Sequence, residues 1–253
     1  MLALERQKRI LELLSIDGAV MVSKLSAEMG VTEETVRRDL EKLEANELLR
    51  RTHGGAIPID GGSYELSLEK RKALNVEVKQ ALAKKAVQSV ASGDTIFLDA
   101  STTTFYMAKE LKTMKNITVI TNSLRVINEL AGVEGIKLIA VGGIVSNNQS
   151  FVGATTENFI TENYFADKMF FSSKGISENS IIYESNEQEC FIKQRMLKNS
   201  HTRYYLCDKS KVDRVGYMKL SSFDQIDYLI TNAEIDGTFK NSLEEFEVKV
   251  IKA

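Results

Sequence analysis

The chain has 253 residues, 43% hydrophobic and 27% charged, with a formal net charge of -2, enough apolar sequence for one large and one small domain but no global bias toward a polyanionic partner. No run approaches the roughly 18 apolar residues that cross a bilayer, and MLALERQKRI lacks the basic-then-apolar order of a secretion signal, so no membrane partner and a cytoplasmic location are expected. Cys190 and Cys207 stand alone, without a CxxC pair or a His cluster, which excludes a disulfide framework, suggests no zinc site and predicts buried free thiols.

Residues 1–57 hold nine Lys and Arg against ten Asp and Glu, so any nucleic-acid surface there must come from segregation of charge. Residues 2–14 read as an amphipathic helix with Ile10, Leu11, Leu13 and Leu14 apolar, and Gly18 as its exit. A short second helix is predicted from an N-cap at Ser23, through Lys24 and Leu25, to a left-handed Gly30. Thr32 caps a third helix, where Glu33 and Glu34 suit the positive end of the dipole and Val36, Leu40 and Leu43 form a buried stripe. At about 100° per residue, Arg38 points nearly opposite that stripe, with Arg37 and Thr35 on its shoulders.

Two helices joined by a Gly-containing turn, the second with an exposed Arg/Thr edge, describe a helix-turn-helix. Leu48-Leu49-Arg50-Arg51-Thr52-His53 reads as a strand, and Gly54-Gly55 permits a tight turn, which together make a wing. Either Arg-Arg pair alone reads more readily as a solvated surface balanced by Glu34, Glu41 and Glu44. The pairs together with the capped helices point to double-stranded DNA, with the third helix in the major groove and the wing along the backbone.

The segment VTEETVRRDLEKLEANELLRRTHGGAI, within residues 6–57, resembles the winged helix-turn-helix signature of the DeoR family of bacterial sugar-metabolism regulators. That resemblance implies a recognition helix containing Thr32, Thr35, Arg37 and Arg38, and a wing motif His53-Gly54-Gly55-Ala56. The residues nominated for DNA contact are Ser23, Lys24, Thr32, Glu34, Thr35, Arg37, Arg38, Arg50, Arg51 and His53.

Pro58 and the following Ile59-Asp60-Gly61-Gly62-Ser63 resist regular structure, so a hinge and a connection over residues 58–75 are expected between domains at 1–57 and 76–253. Residues 75–92 are strongly helical, with Val78, Leu82, Ala86 and Val90 inward and the basic residues facing solvent. Short apolar strands are then predicted at 95–98, 117–121, 137–141, 168–171, 203–207, 228–231 and 247–251, with helices in most gaps. Such alternation implies an α/β domain with a largely parallel sheet and a ligand crevice at the carboxyl ends of its strands.

Asp99-Ala100-Ser101-Thr102-Thr103-Thr104 leads from one strand into a helix expected to begin near Phe105. Hydroxyls and free N–H groups at a helix N-terminus suit a phosphate monoester, and a plain Ser/Thr cap is the other reading. Asn122-Ser123, Gly142-Gly143, Lys174-Gly175 and Asp208-Lys209-Ser210-Lys211 follow other strands. A lysine there serves phosphate as a point charge, or belongs to an ordinary exposed loop. Glu184, Glu187 and Glu189 read as solvent-facing helix residues rather than a metal cluster.

The resemblance to the DeoR family continues through FLDASTTT, TNSL, VGG with SFVG, DKMFFSSKGIS and CDKSK. It implies a sensor domain with a fold similar to ribose-5-phosphate isomerase that binds phosphorylated sugars or related metabolites. Asp99, Ser101, Thr102 and Thr103 would form the phosphate loop, Asn122, Ser123, Gly142 and Gly143 would border the sugar, and Lys211 would meet charge; Lys174 and Asp208 complete the effector candidates. Many relatives carry glycine where Ser101 stands, and Ser-Ser-Lys-Gly follows DKMFF where the isomerases have Gly-Ala-Asp.

The expectation is therefore a transcriptional regulator, most simply a repressor released by a phosphorylated sugar, working as a homodimer or homotetramer on paired half-sites. No catalytic residue, cofactor or metal is assigned. Two alternatives compete: an isomerase-like enzyme using Asp99 or Asp208 as base, and a ligand-free repressor whose large domain only assembles subunits.

Overall fold

A computed structural model of the chain describes residues 2–17, 19–46, 48–52, 54–57, 68–177, 179–216 and 218–253. The chain divides into two compact units, Met1–Leu66 and Ser67–Ala253. Gly18, His53 and residues 58–63, to which an exit, a DNA contact and a hinge were assigned, lie outside the described residues.

In the first unit the order is α1 (Ala3–Asp17), β1 (Val20–Met21), α2 (Val22–Met29), α3 (Glu33–Ala45), β2 (Arg50–Thr52) and β3 (Gly55–Ile57). The predicted stripe of Val36, Leu40 and Leu43 packs with Ile10, Leu14, Leu25 and Leu49 into one small core. Thr32 caps α3 by accepting from the Thr35 N–H at 3.3 Å, and Gly30 ends α2 at φ 63. Asp39, 3% exposed, accepts from Arg6 Nε at 2.8 Å and Gln7 Nε2 at 3.1 Å, which pins α1 to α3.

Two expectations need correction here. Ser23 is not the N-cap of α2; Met21 holds that position and no side chain caps the helix. Residues 20–21 pair with 55–56 as β1, and Val22 N–H donates to Gly54 O at 2.8 Å, so α2 starts directly off a strand. The wing strand starts at Arg50 rather than Leu48, because Leu48 N–H still bonds Leu43 O and Leu49 turns into the core at 1% exposure. A Cβ on Gly55 would lie 1.7 Å from Val20 O, so the β1–β3 pairing requires glycine there.

The second unit begins with α4 (Leu68–Ala73), α5 (Val76–Val87), β4 (Thr95–Leu98), α6 (Thr102–Leu111), β5 (Ile117–Thr121), α7 (Leu124–Leu130) and β6 (Ile136–Ala140). A hairpin of β7 (Ile144–Val145) and β8 (Phe151–Val152) follows, then α8 (Ala154–Asn163), β9 (Ala166–Phe171), β10 (Gly175–Ile176) and β11 (Ile181–Glu184). The chain closes with α9 (Glu187–Lys198), β12 (Ser200–Cys207), β13 (Met218–Ser222), β14 (Tyr228–Thr231), α10 (Gly237–Glu245) and β15 (Lys249–Lys252).

The seven predicted strands form one parallel sheet in the order β15-β14-β12-β9-β4-β5-β6. Neighbouring residues on each strand face opposite layers, as period-two geometry requires. Ile96, Leu98, Phe170 and Leu206 join Leu82, Met107 and Val126 of α5, α6 and α7. Phe97, Met169, Phe171 and Tyr205 join Ile160, Ile192 and Leu243 of α8, α9 and α10. The parallel register also stacks Phe170 on Tyr204 and Tyr204 on Tyr228, with centroids 4.7 and 4.6 Å apart.

The β7–β8 hairpin and an antiparallel sheet β10-β11-β13 were not anticipated, since β7, β8 and β10 are two residues each and show no periodicity. The stretch 58–75 expected as a connection is helical at Leu68–Ala73, and that helix falls in the second unit. Helix α6 begins at Thr102, ahead of Phe105, because Ser101 accepts from the Thr104 N–H at 3.1 Å and caps it. Both cysteines are buried and free. Among the described residues no helix is long and apolar enough to cross a membrane.

Candidate DNA-binding and anion-binding sites

On α3, Arg37 pairs with Glu33 at 2.8 Å and Arg38 with Glu34 at 3.3 Å, both one turn apart and exposed. Arg51 in the wing reaches Glu44 at 2.8 Å and Glu41 at 2.9 Å, while Arg50 is exposed. Lys24 and Ser23 stand exposed in the first turn of α2, and Thr32 is exposed with its hydroxyl 2.9 Å from that of the half-buried Thr35. Exposed one-turn ion pairs contribute only about 0.3–0.5 kcal/mol, so a phosphate or a guanine edge can displace these glutamates from the guanidinium groups.

In the second unit, the loops after β12, β9, β4, β5 and β6 follow the carboxyl ends of adjacent parallel strands, where the crevice of an open α/β sheet forms. Asp99 is 1% exposed and organises the first of these loops. It accepts from Ser101 N–H at 3.1 Å, Thr104 Oγ1 at 2.6 Å and Ser172 N–H at 3.1 Å, and lies 3.2 Å from Lys193 Nζ. Burial works to raise its pKa, but Lys193 and these hydrogen bonds outweigh it and hold the carboxyl below its ordinary value.

Thr102 and Thr103 form the first turn of α6, and the fully buried Thr103 hydroxyl has no hydrogen-bond partner. The Oδ1 of Asn122 is likewise buried and unpartnered, while its Nδ2 donates to Phe151 O at 2.9 Å. Ser123 caps α7. Lys211 Nζ donates to Ser172 Oγ at 2.6 Å and Ser173 O at 2.8 Å, and Asp208 accepts from Ser210 N–H at 3.0 Å. Buried hydroxyl and amide oxygens without partners are uncommon in folded proteins.

Three further nominated residues are Lys174, Gly142 and Gly143. Lys174 lies in the turn between β9 and β10, its N–H bonded to Tyr183 O at 2.9 Å. Gly142 and Gly143 are exposed, and a Cβ on Gly143 would fall 2.0 Å from Thr156 Oγ1, so packing against α8 explains that glycine.

Sequence reasoning missed the buried charges. Lys79 was expected to face solvent; it is 4% exposed and donates to Arg71 O at 2.5 Å and Leu74 O at 2.6 Å. Burial first, then the neighbouring Lys211, push its pKa down to about 8. Arg125, 7% exposed, donates to Ala100 O at 3.0 Å and stacks over Phe105 at 5.1 Å. Glu184 and Glu189 were also expected at the surface, and both are 5% exposed beside Lys193, whose Nζ lies 2.5 Å from Glu184 Oε2. Glu187 alone of the three faces solvent. A lysine three residues after an apolar one carries no mark of burial in the sequence; its partners lie on other elements.

Burial pushes the Glu189 carboxyl up to about 7 against the opposing pull of Lys193 and the Ser150 hydroxyl. A carboxyl whose folded pKa exceeds its unfolded 4.5 stabilises the protein below that value and loses the contribution as pH rises through about 7. Glu189→Gln, which mimics the protonated form, should therefore gain on wild type by roughly 2 kcal/mol between pH 5 and pH 8. Urea melts at the two pH values check this; parallel curves for both proteins would contradict it.

Residues 6–61 match the DeoR-like helix-turn-helix domain and residues 74–233 the DeoR C terminal sensor domain. The chain is 40% identical over 251 residues to the uncharacterized HTH-type transcriptional regulator YulB of Bacillus subtilis (strain 168), covering 99% of this chain and 96% of that one. It is 38% identical over 248 residues to the lactose phosphotransferase system repressor of Lactococcus lactis, covering 95% and 94%. Among solved structures, ribose 5-phosphate isomerase A of Methanocaldococcus jannaschii matches 55% of each chain at 18% identity with a TM-score of 0.42. With both domain families matched in tandem and relatives aligned over nearly its whole length, the chain belongs to the DeoR family of DNA-binding transcriptional regulators.

Proposed function

We propose that the protein represses a sugar- or carbohydrate-metabolism operon and that a phosphorylated sugar bound in the crevice of the second unit governs its hold on DNA. The observation that carries this reading is the pair of buried, unpartnered oxygens, Thr103 Oγ1 and Asn122 Oδ1, at two adjacent strand ends beside the N-terminus of α6. The free N–H groups of that helix end and the nearby Lys211 favour an anion, and the Asn122 oxygen accepts from a sugar hydroxyl. The name of the Lactococcus lactis relative, lactose phosphotransferase system repressor, supports the carbohydrate class. Repression by two or four copies on paired half-sites, inside the cell on chromosomal DNA, completes the proposal, because one recognition helix reads too few base pairs.

An enzymatic role is disfavoured by the state of the two crevice carboxylates. A base that removes a proton from carbon needs a free lone pair and a pKa near the working pH. Asp99 is saturated by four donors with its pKa lowered, and Asp208 accepts from both the N–H and the hydroxyl of Ser210.

Fluorescence anisotropy on the DNA upstream of the protein's own gene tests the reading. Binding should exceed that to scrambled DNA by about 10³-fold or more at physiological salt. One or more phosphorylated sugars should change it by about 5- to 150-fold, with the unphosphorylated sugars inert. Equal binding to scrambled DNA, or indifference to every phosphorylated sugar tested, would sink it.

A further inference from the structure

The first segment described after residues 58–67 lies across the crevice of the second unit and is fastened on both sides. From the α4–α5 junction, Asn75 Nδ2 reaches Ser210 Oγ at 3.1 Å and Asp208 Oδ1 at 3.5 Å, in the loop after β12. Four residues earlier, Arg71 donates to Asn148 Oδ1 at 2.7 Å, in the turn of the β7–β8 hairpin. That turn is itself bonded to the end of β5, through Leu124 N–H to Gln149 O and Phe151 N–H to Asn122 O. In the sheet order β12-β9-β4-β5-β6, these tethers stand on opposite sides of β4, whose loop opens α6.

The middle of the segment is held by one buried cation. Lys79, on α5, donates to the Arg71 and Leu74 carbonyls at the end of α4, and so fixes the backbone between the two tethers. The charged groups that act on it are Lys211 and Asp208 after β12, Arg71 on α4 and Arg125 on α7. Burial is the main reason its pKa falls to about 8, and the three other cations, set against a single carboxylate, add to it by repulsion. An added anion offsets that repulsion and leaves the charge-assisted hydrogen bonds from the ammonium to the two carbonyls unopposed.

We propose that residues 71–79 form a strap over the crevice whose fastening is completed by a phosphate anion beside Lys79, Lys211 and the N-terminus of α6, so that effector occupancy sets the order of the segment through which the chain continues from the DNA-binding domain. The proposal rests on the effector reading above and deepens it by assigning its route. Lys79 acts in it as a positioning residue: it holds the strap through the Arg71 and Leu74 carbonyls, and the anion offsets the repulsion among the cations around it. Energy for the coupling comes only from the difference in anion affinity between the fastened and loosened strap.

Hydrogen exchange measured by mass spectrometry on the full chain, with inorganic phosphate against chloride at matched ionic strength, tests it. In wild type, phosphate should slow exchange at the α6 N-terminus and also in peptides covering 68–79, by about tenfold at ten times its Kd. In Lys79→Met the α6 peptide should still respond while the strap loses its response. The double variant Arg71→Ala/Asn75→Ala, which removes the two side-chain tethers while keeping Lys79 and its two carbonyl acceptors, should uncouple the strap in the same way. A protected α6 peptide with an unchanged strap in wild type overturns the strap and leaves the effector site standing, as does a strap in Lys79→Met that responds like wild type. No protection at α6 from phosphate or from any phosphorylated sugar overturns the effector reading itself.

Discussion

Replacing Lys193 with methionine should destabilise the second unit by about 3–5 kcal/mol, the usual result of removing one partner from a buried ion pair. The ammonium is 5% exposed and stands among Asp99, Glu184 and Glu189, all at 5% exposure or less. These carboxylates pull the Lys193 pKa up despite the burial that opposes it. Without it, Asp99 and Glu184 must either stay charged without a cation or take up protons near neutral pH, and both cost stability. Lys193 Nζ also donates to Ser172 O at 2.8 Å, so the loop after β9 loses a tether.

At roughly 2–4 °C per kcal/mol for a domain of this size, the midpoint of thermal unfolding should fall by about 10 °C. Glu184→Gln on top of Lys193→Met should restore part of the loss, since the pair is coupled. A single-variant loss under about 1 kcal/mol would show that the carboxylates neutralise at little expense, and that this network is not what holds the crevice loops together. The effect should extend to the start of α6, because Asp99 links Lys193 to the turn that opens that helix.

Arg38→Ala should weaken operator binding by about 1–3 kcal/mol, or roughly 5- to 150-fold at fixed salt, if its guanidinium takes a guanine edge. The same substitution should leave folding nearly untouched. Arg38 is 71% exposed at its side chain, it pairs with Glu34, itself 63% exposed, and alanine favours helix. Titration at several salt concentrations separates the two possible contacts. Loss of a phosphate contact lowers the slope of log K against log salt by about 1 and weakens all sequences alike, whereas loss of a base contact relaxes specificity at one position. Unchanged affinity would remove Arg38 from the interface and leave Arg37, Arg50 and Arg51 to be tested in turn.

How far the sequence reached depends on the range of the interactions involved. Helix α3 was legible because a Thr cap, acidic residues in the first turn and the Val36, Leu40, Leu43 stripe are all local and agree with one another. The seven sheet strands were legible because a strand buried on both faces is an apolar run bounded by turn residues, and the ends of β4, β5 and β14 fall where expected. The start of α2 was not, since a serine in a first turn looks like a cap until the preceding residues are seen to pair with a strand thirty-odd positions later. The β7–β8 hairpin escaped because two-residue strands leave no period to detect.

By itself, then, the sequence determined the helix-turn-helix, the seven strands of the parallel sheet and the two domain types, because periodicity, capping and turn chemistry act within a few residues of one another. Only the tertiary structure decided which charges are buried and what they hold. Asp99 meets Ser172 across 73 positions, Arg71 meets Asn148 across 77, and Asn75 meets Ser210 across 135. A charged side chain bears the same letter whether it is solvated or desolvated, and its state is fixed by partners that only a folded parallel sheet brings within hydrogen-bonding distance.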